Sequence, residues 1–437
     1  MLEGMAEKLL VIQVAALGHG LLKQHNRLQE AQNRLDMDFC PAESVFPAVT
    51  CTAQATFRTA AAPDVHGMVA NGLYLRDLHK PMFWEQSADL VSGQRIWGRF
   101  REAGRTVGML FWQQSLGEDV DVVLSPAPIH KHHGGMIMDC YSRPAGLYGR
   151  LCERVGRKFD LMHYWGPLAK AKVGRWIADA AAEVMRDADL APDLLLTYLP
   201  TLDYDLQRYG PAHAKSDAAL SELLSQLSGL AEAARKAGYD LLVWGDYAIG
   251  VCSEAVFPNR ALAAAGLLET RDIRGMLYPD FHTSRAFAVV DHEVAHVYVR
   301  RPEDVAEAQA ILQELPHLAR VLDNEGKRAS ALDHPNAGEL VLLAEQGRWL
   351  AYPWWEGKRQ APDYARHIDI HNKPGYDPCE LYFGWPPMSV SQDAAKIRGS
   401  HGRTMPGREI AWASTLDLGK PANLVELANA VREWLNS

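Results

Sequence analysis

At 437 residues the chain is long enough for one large domain with a sizeable buried core. Hydrophobic residues at 48% and charged residues at 23% are ordinary for a soluble globular protein. Acidic residues number 54 against 45 basic ones, and the net charge of -9 argues against a nucleic-acid polymer held on a basic surface.

The six cysteines (Cys40, Cys51, Cys140, Cys152, Cys252 and Cys379) form no C-x-x-C pair. Neither a zinc ribbon, a redox motif nor a disulfide scaffold is indicated. The first eight residues include Glu3 and Glu7 where a signal peptide would be basic. The apolar stretch 9–17 is too short to span a bilayer. These features lead to the expectation of a cytoplasmic protein without a membrane partner; they leave the oligomeric state open.

Along the chain, residues 9–14 are continuous, apolar and β-branched, which predicts a buried strand. A second short strand is expected at 46–49, with Thr50 where strand gives way to helix. From 76 to 165 the strand–helix rhythm is lost and aromatics accumulate, among them Trp84, Trp97, Phe111, Trp112 and Trp165. This stretch is expected to be an insert or lid, or else an elaborated core edge. Its run His130-Lys131-His132-His133, beside Gly134-Gly135, suits a solvated loop.

A helix is predicted at 176–188, a strand at 193–199, a helix at 218–238 and a strand at 239–245. Alternating short apolar strands and helices predict an α/β fold, a mostly parallel sheet with helices on both faces. Ligands of such sheets bind beyond the carboxyl ends of the strands. Thr50, Asp203 and Asp246 each lie just past the end of one of these runs. Residues 286–350 have another texture: strand at 286–299, helix at 302–314, and strands at 320–322 and 339–344. A small αβ subdomain within a single domain spanning 1–437 is expected.

His292-Glu293-Val294-Ala295-His296 fits H-E-x-x-H, but zincin chemistry needs that motif on a helix. The flanks Phe287-Ala288-Val289-Val290 and Val297-Tyr298-Val299 favour strand, so a metalloprotease is not expected.

Phe46-Pro47-Ala48-Val49-Thr50, followed by Asp64-Val65-His66-Gly67-Met68-Val69-Ala70-Asn71-Gly72, resembles the type I phosphodiesterase/nucleotide pyrophosphatase branch of the alkaline phosphatase superfamily. Tyr198-Leu199-Pro200-Thr201-Leu202-Asp203, Gly210-Pro211, Trp244-Gly245-Asp246-Tyr247 and Arg398-Gly399-Ser400-His401-Gly402 follow in the family's order. The resemblance implies an alkaline-phosphatase-like sheet and a threonine, here Thr50, that attacks phosphorus between two zinc ions. Asn71 matches the asparagine that donates to a phosphoryl oxygen. Asp203 and His401 match ligands of one metal, Asp246 a ligand of the other.

This chain departs from that pattern at three ligand positions, where it has Ala15, Gln207 and Tyr247. A zinc site normally needs three protein ligands plus an open position, so an intact two-zinc centre is not expected. His367-Ile368-Asp369-Ile370-His371 alternates polar and apolar, and as a strand would aim His367, Asp369 and His371 from one face. With Asp205 and Asp377 these are candidate replacements, His371 foremost. The pattern resembles a divergent subgroup of the family with the same substitutions and the I-H-x-K-P-G-Y-D stretch.

The expected function is a metal-dependent hydrolase of phosphate esters, of phosphodiester or nucleotide pyrophosphate type. Thr50 and Asn71 would be catalytic. Asp203, Asp246, His371 and His401 would hold one or two divalent ions, zinc first, with manganese or another ion as the alternative. Tyr247 and Trp165 would contact a small phosphorylated substrate. The alternatives are a descendant that binds a phosphorylated metabolite without turnover, and related phosphoryl or phosphonate chemistry on the same scaffold.

Overall fold

The computed structural model describes residues 8–371 and 373–437. The acidic start of the chain and Asn372 lie outside them. The central sheet has eight strands, five of them parallel and adjacent: Val122–Pro126, Val107–Leu110, Leu194–Leu199, Lys8–Val14 and Tyr239–Gly245. Antiparallel strands finish both edges: Cys140–Arg143 on one side, Ile410–Ser414 and then Cys40–Ala42 on the other. Leu9, Leu10, Val11 and Ile12 are fully buried, as a parallel strand covered on both faces requires. Helix Gly174–Arg186 packs on helix Ala214–Ala237, and helix Thr50–Thr59 on Leu424–Leu435. Among the described residues no helix is long and apolar enough to cross a membrane.

The expected strand at 46–49 is absent. The edge strand is Cys40–Ala42, and the chain bends at Pro47 before Val49 enters the Thr50 helix in an extended conformation. Proline has no N–H to give a ladder, so an apolar run containing it is a poor strand. The 76–165 stretch also differs from a lid. Three of its strands extend the central sheet, and Trp97, Phe111 and Trp112 are core residues. Strands of four or five residues are too short for periodicity to reveal. The small hairpin Ile129–His130 and Met136–Ile137, with its basic tip, is exposed throughout.

Within 286–350 lies a four-stranded antiparallel sheet, in the order Ala286–Asp291, Val294–Val299, Leu340–Ala344, Leu318–Leu322. The single strand expected over 286–299 is a tight hairpin that turns at His292-Glu293, with His292 at φ 61°. Both arms are buried throughout, and the polar Asp291-His292-Glu293 marks the turn between them.

Candidate functional site

The carboxyl ends of three neighbouring parallel strands build the site. Lys8–Val14 leads to Ala15 and Ala16, Leu194–Leu199 to Asp203, and Tyr239–Gly245 to Asp246. Thr50 opens a ten-residue helix, and its hydroxyl donates to Asp246 Oδ2 at 3.3 Å. Gln13 Nε2 donates to the same oxygen at 2.9 Å, while the N–H groups of Ala16 and Tyr247 reach Oδ1 at 3.0 and 2.9 Å. Asp246 is fully buried, and desolvation together with the nearby Asp203 charge pushes its carboxyl up to about 8 despite those donors.

Asp203 sits in the first turn of helix Asp203–Tyr209. The Tyr247 hydroxyl donates to its Oδ1 at 2.9 Å, and Gln207 Nε2, one turn on, donates to Oδ2 at 2.7 Å. Burial raises this carboxyl to about 6. The Tyr247 ring lies flat on His401, with centroids 3.4 Å apart and planes 2° from parallel. His401 in turn stacks against His292 at 3.7 Å, and His292 against Tyr376 at 3.7 Å. The column closes on itself, because the Tyr376 hydroxyl donates to Gln207 Oε1 at 2.7 Å.

His401 donates through Nδ1 to the Ala48 carbonyl at 2.7 Å, just before the Thr50 helix. His292 pairs through Nδ1 with Asp291 Oδ1 at 2.6 Å, leaving a buried Nε2 with no partner among the described residues. Burial holds both imidazoles well below their ordinary pKa, hence neutral. Asp291 also accepts the Asn71 backbone N–H at 2.7 Å and Asn71 Nδ2 at 3.2 Å, and Asn71 Oδ1 accepts the Cys51 N–H at 2.9 Å. Asn71 therefore ties the first turn of the Thr50 helix to the second sheet. The N–H groups of Thr50 and Thr52 have no acceptor among the described residues.

Asp291 and His292 are site residues that sequence reasoning missed. The signal was the H-E-x-x-H match, read as strand when His292 is in fact a turn. The rest of that motif is structural. Glu293 is paired with Arg408 at 3.1 Å, and His296 bridges the Val69 carbonyl and the Gly338 N–H.

The structure gathers Thr50, Asn71, Asp203, Asp246, Tyr247 and His401, but His371 is not in that network. Residues 367–371 form no strand; His371 bonds the Phe83 carbonyl and His367 is exposed. The Asp369 N–H is held by Glu380, Asp377 is paired with Lys373 at 2.9 Å, and Asp205 lies 3.5 Å from Arg208. Trp165 donates to Glu380 at 2.6 Å and lies against Tyr376, so it backs the site from behind that ring. Tyr247 has one ring face on His401 and its hydroxyl on Asp203, which makes it part of the frame.

The residues present do not fit a pair of zinc ions. Asp203, Asp246 and His401 remain, but the two carboxylates are already engaged by Gln13, Ala16, Gln207 and Tyr247. Among the described residues no group of three or more His, Cys, Asp or Glu is arranged to hold a metal ion. The expected ligand set of Asp203, Asp246, His371 and His401 does not assemble.

Residues 10–377 match the type I phosphodiesterase/nucleotide pyrophosphatase family. Phosphonoacetate hydrolase from Sinorhizobium meliloti 1021, in complex with phosphonoformate, superposes with a TM-score of 0.62 at 14% identity, over 98% of this chain and 95% of that one. Murine ectonucleotide pyrophosphatase/phosphodiesterase 5 gives 0.59 at 15% identity over the same shares, and the human protein 0.57 at 16%. No curated protein sequence matches the chain. With its alkaline-phosphatase-like sheet and its match over most of its length, the chain belongs to the type I phosphodiesterase/nucleotide pyrophosphatase family of phosphoesterase-type hydrolases.

Proposed function

We propose that the chain hydrolyses a small phosphorylated compound, a phosphodiester or pyrophosphate-linked ester first, with Thr50 as nucleophile. The observation that carries this is the placement of the Thr50 hydroxyl on Asp246, at the start of a helix whose first N–H groups include two without acceptors among the described residues. A threonine hydroxyl is protonated at neutral pH and needs a base. In its ionised form Asp246 takes that proton as Oγ1 attacks phosphorus, and the bond from phosphorus to the leaving-group oxygen breaks, the departing oxygen taking a proton from water. The helix start offers N–H donors and the positive end of its dipole to the non-bridging oxygens. An asparagine amide has two hydrogens, and Asn71 commits one to Asp291, so the other is left for a phosphoryl oxygen. Water then attacks the phosphoryl-threonine and gives up a proton to solvent, the P–Oγ1 bond breaks, and Oγ1 recovers the proton from Asp246.

The second reading, binding without turnover, is favoured by the burial of Thr50, Asp203, Asp246 and His401 and by the donors already on both carboxylates. Turnover of bis-p-nitrophenyl phosphate and of thymidine monophosphate p-nitrophenyl ester, in wild type and Thr50→Ala, separates the two. The hydrolase predicts turnover that falls by about 10³-fold or more in the variant. Equal rates in the two proteins would contradict the nucleophile. Saturable phosphate binding with no turnover of either ester would establish the second reading.

A further inference from the structure

The three family ligands this chain lacks have not left gaps. Tyr247 and Gln207 stand at two of those positions, and each gives a hydrogen bond to Asp203, one per carboxylate oxygen. At the third, Ala15 offers no donor atom on its side chain. Its neighbour Ala16, at φ 60°, turns its N–H onto Asp246, and Gln13 from the same strand takes the other oxygen. The two carboxylates that would face cations thus face five protein donors at 2.7 to 3.0 Å.

The imidazole that would complete either site is also committed. His401 is fixed through Nδ1 to Ala48, and Tyr247 lies flat on one of its faces. Among the described residues Asp203, Asp246 and Asp291 have no lysine or arginine within salt-bridge distance. Buried carboxylates without a cation must be neutralised or heavily hydrogen-bonded. For Asp203 the hydrogen bonds come from two of the substituted positions, and for Asp246 they come from Gln13 and the N–H groups of Ala16 and Tyr247.

We propose that this chain's centre is metal-free by construction: Tyr247, Gln207, Gln13 and the Ala16 amide occupy the carboxylate oxygens that zinc takes in the two-zinc members of the family. A cation entering would have to displace two short donors from Asp203 and would find no third ligand. The proposal concerns occupancy and stands whether or not Thr50 turns substrate over.

The test is metal content and thermal stability of the intact protein, apart from any activity assay. Wild type is dialysed against zinc and then manganese, desalted, and measured by elemental analysis; its unfolding is followed with and without EDTA. The expected result is well under one equivalent of either ion and an unchanged Tm. One equivalent or more of a retained ion, with a Tm that EDTA lowers, overturns the proposal. The variant Ala15→Asp/Gln207→His/Tyr247→His restores the family's ligand types and is expected to gain zinc and a zinc-dependent rise in Tm. A folded variant that takes up no zinc would contradict the assignment of exclusion to these positions. If the variant does not fold, the wild-type measurement decides.

Discussion

His66 lies five residues before Asn71, and the bonds around it fix its state. It accepts the Met68 N–H on Nδ1, so Nε2 carries the hydrogen that goes to Thr56 at 3.0 Å. Burial, with Arg58 nearby, lowers its pKa to about 3. The folded chain therefore holds His66 neutral where an unfolded chain binds a proton below about pH 6.5. Its contribution to stability is complete above that pH and is lost as pH falls toward 3. In urea titrations His66→Gln should flatten the fall in stability between pH 6.5 and 4. An unchanged slope would show that the loss comes from other groups. Asn71 is the second test at this scale. Asn71→Ala removes the acceptor for Cys51 N–H and one donor to buried Asp291, and is expected to cost about 1–3 kcal/mol by urea unfolding.

Asp203 and Asp246 were legible in the sequence because each follows an apolar run that is a strand of the parallel sheet, whereas Thr50 follows a run that forms no strand and was marked by the motif around it. His401 and Asn71 needed the family's motif order. Asp291 and His292 were not legible. Asp291-His292-Glu293 is a polar break between two apolar arms, and reading 286–299 as one strand hid the turn that brings Asp291 and His292 to the site.

Single elements are tied to the site by buried charges rather than by local propensity. Arg58, in the last turn of the Thr50 helix, is fully buried with Glu118 at 3.3 Å, and donates to the carbonyls of Gln113 and Gln114. Arg95 reaches the same glutamate at 2.9 Å. Glu118→Ala would strand a buried guanidinium and should destabilise the fold by about 3–5 kcal/mol, read as a shift of the denaturant midpoint. A change below about 1 kcal/mol would mean that water reaches Arg58.

The 367–381 segment behaves similarly. Lys373 is buried between Asp377 at 2.9 Å and Glu380 at 2.7 Å, and Glu380 also holds Trp165 and the Asp369 N–H. That cluster gives the K-P-G-Y-D stretch a structural role: it presents Tyr376 to Gln207 and His292. From sequence the alternation around His367 suggested a strand of ligands. Alternation over five residues is weak evidence, and here ion pairs and a turn set the conformation.

At the scale of the molecule the parallel sheet was readable because its central strands are long and apolar. Its outer strands were not, being four or five residues long and flanked by aromatics that pack into the same core. Trp112 illustrates this: it meets Phe57 and Trp244 edge-on inside the core. The sheet brings three strand ends together and the second sheet supplies Asp291 and His292, so the centre depends on both packing against the Thr50 helix.

The central claim is that this junction is a phosphoryl pocket with Thr50 at its focus. Its most direct test is trapping: incubate the protein with bis-p-nitrophenyl phosphate, quench in acid, and map the peptide containing residue 50 by mass spectrometry. The account predicts a phosphoryl-ester adduct on Thr50 that is absent in Thr50→Ala. Steady turnover with the Thr50 peptide unmodified, and equal turnover in the variant, would contradict it.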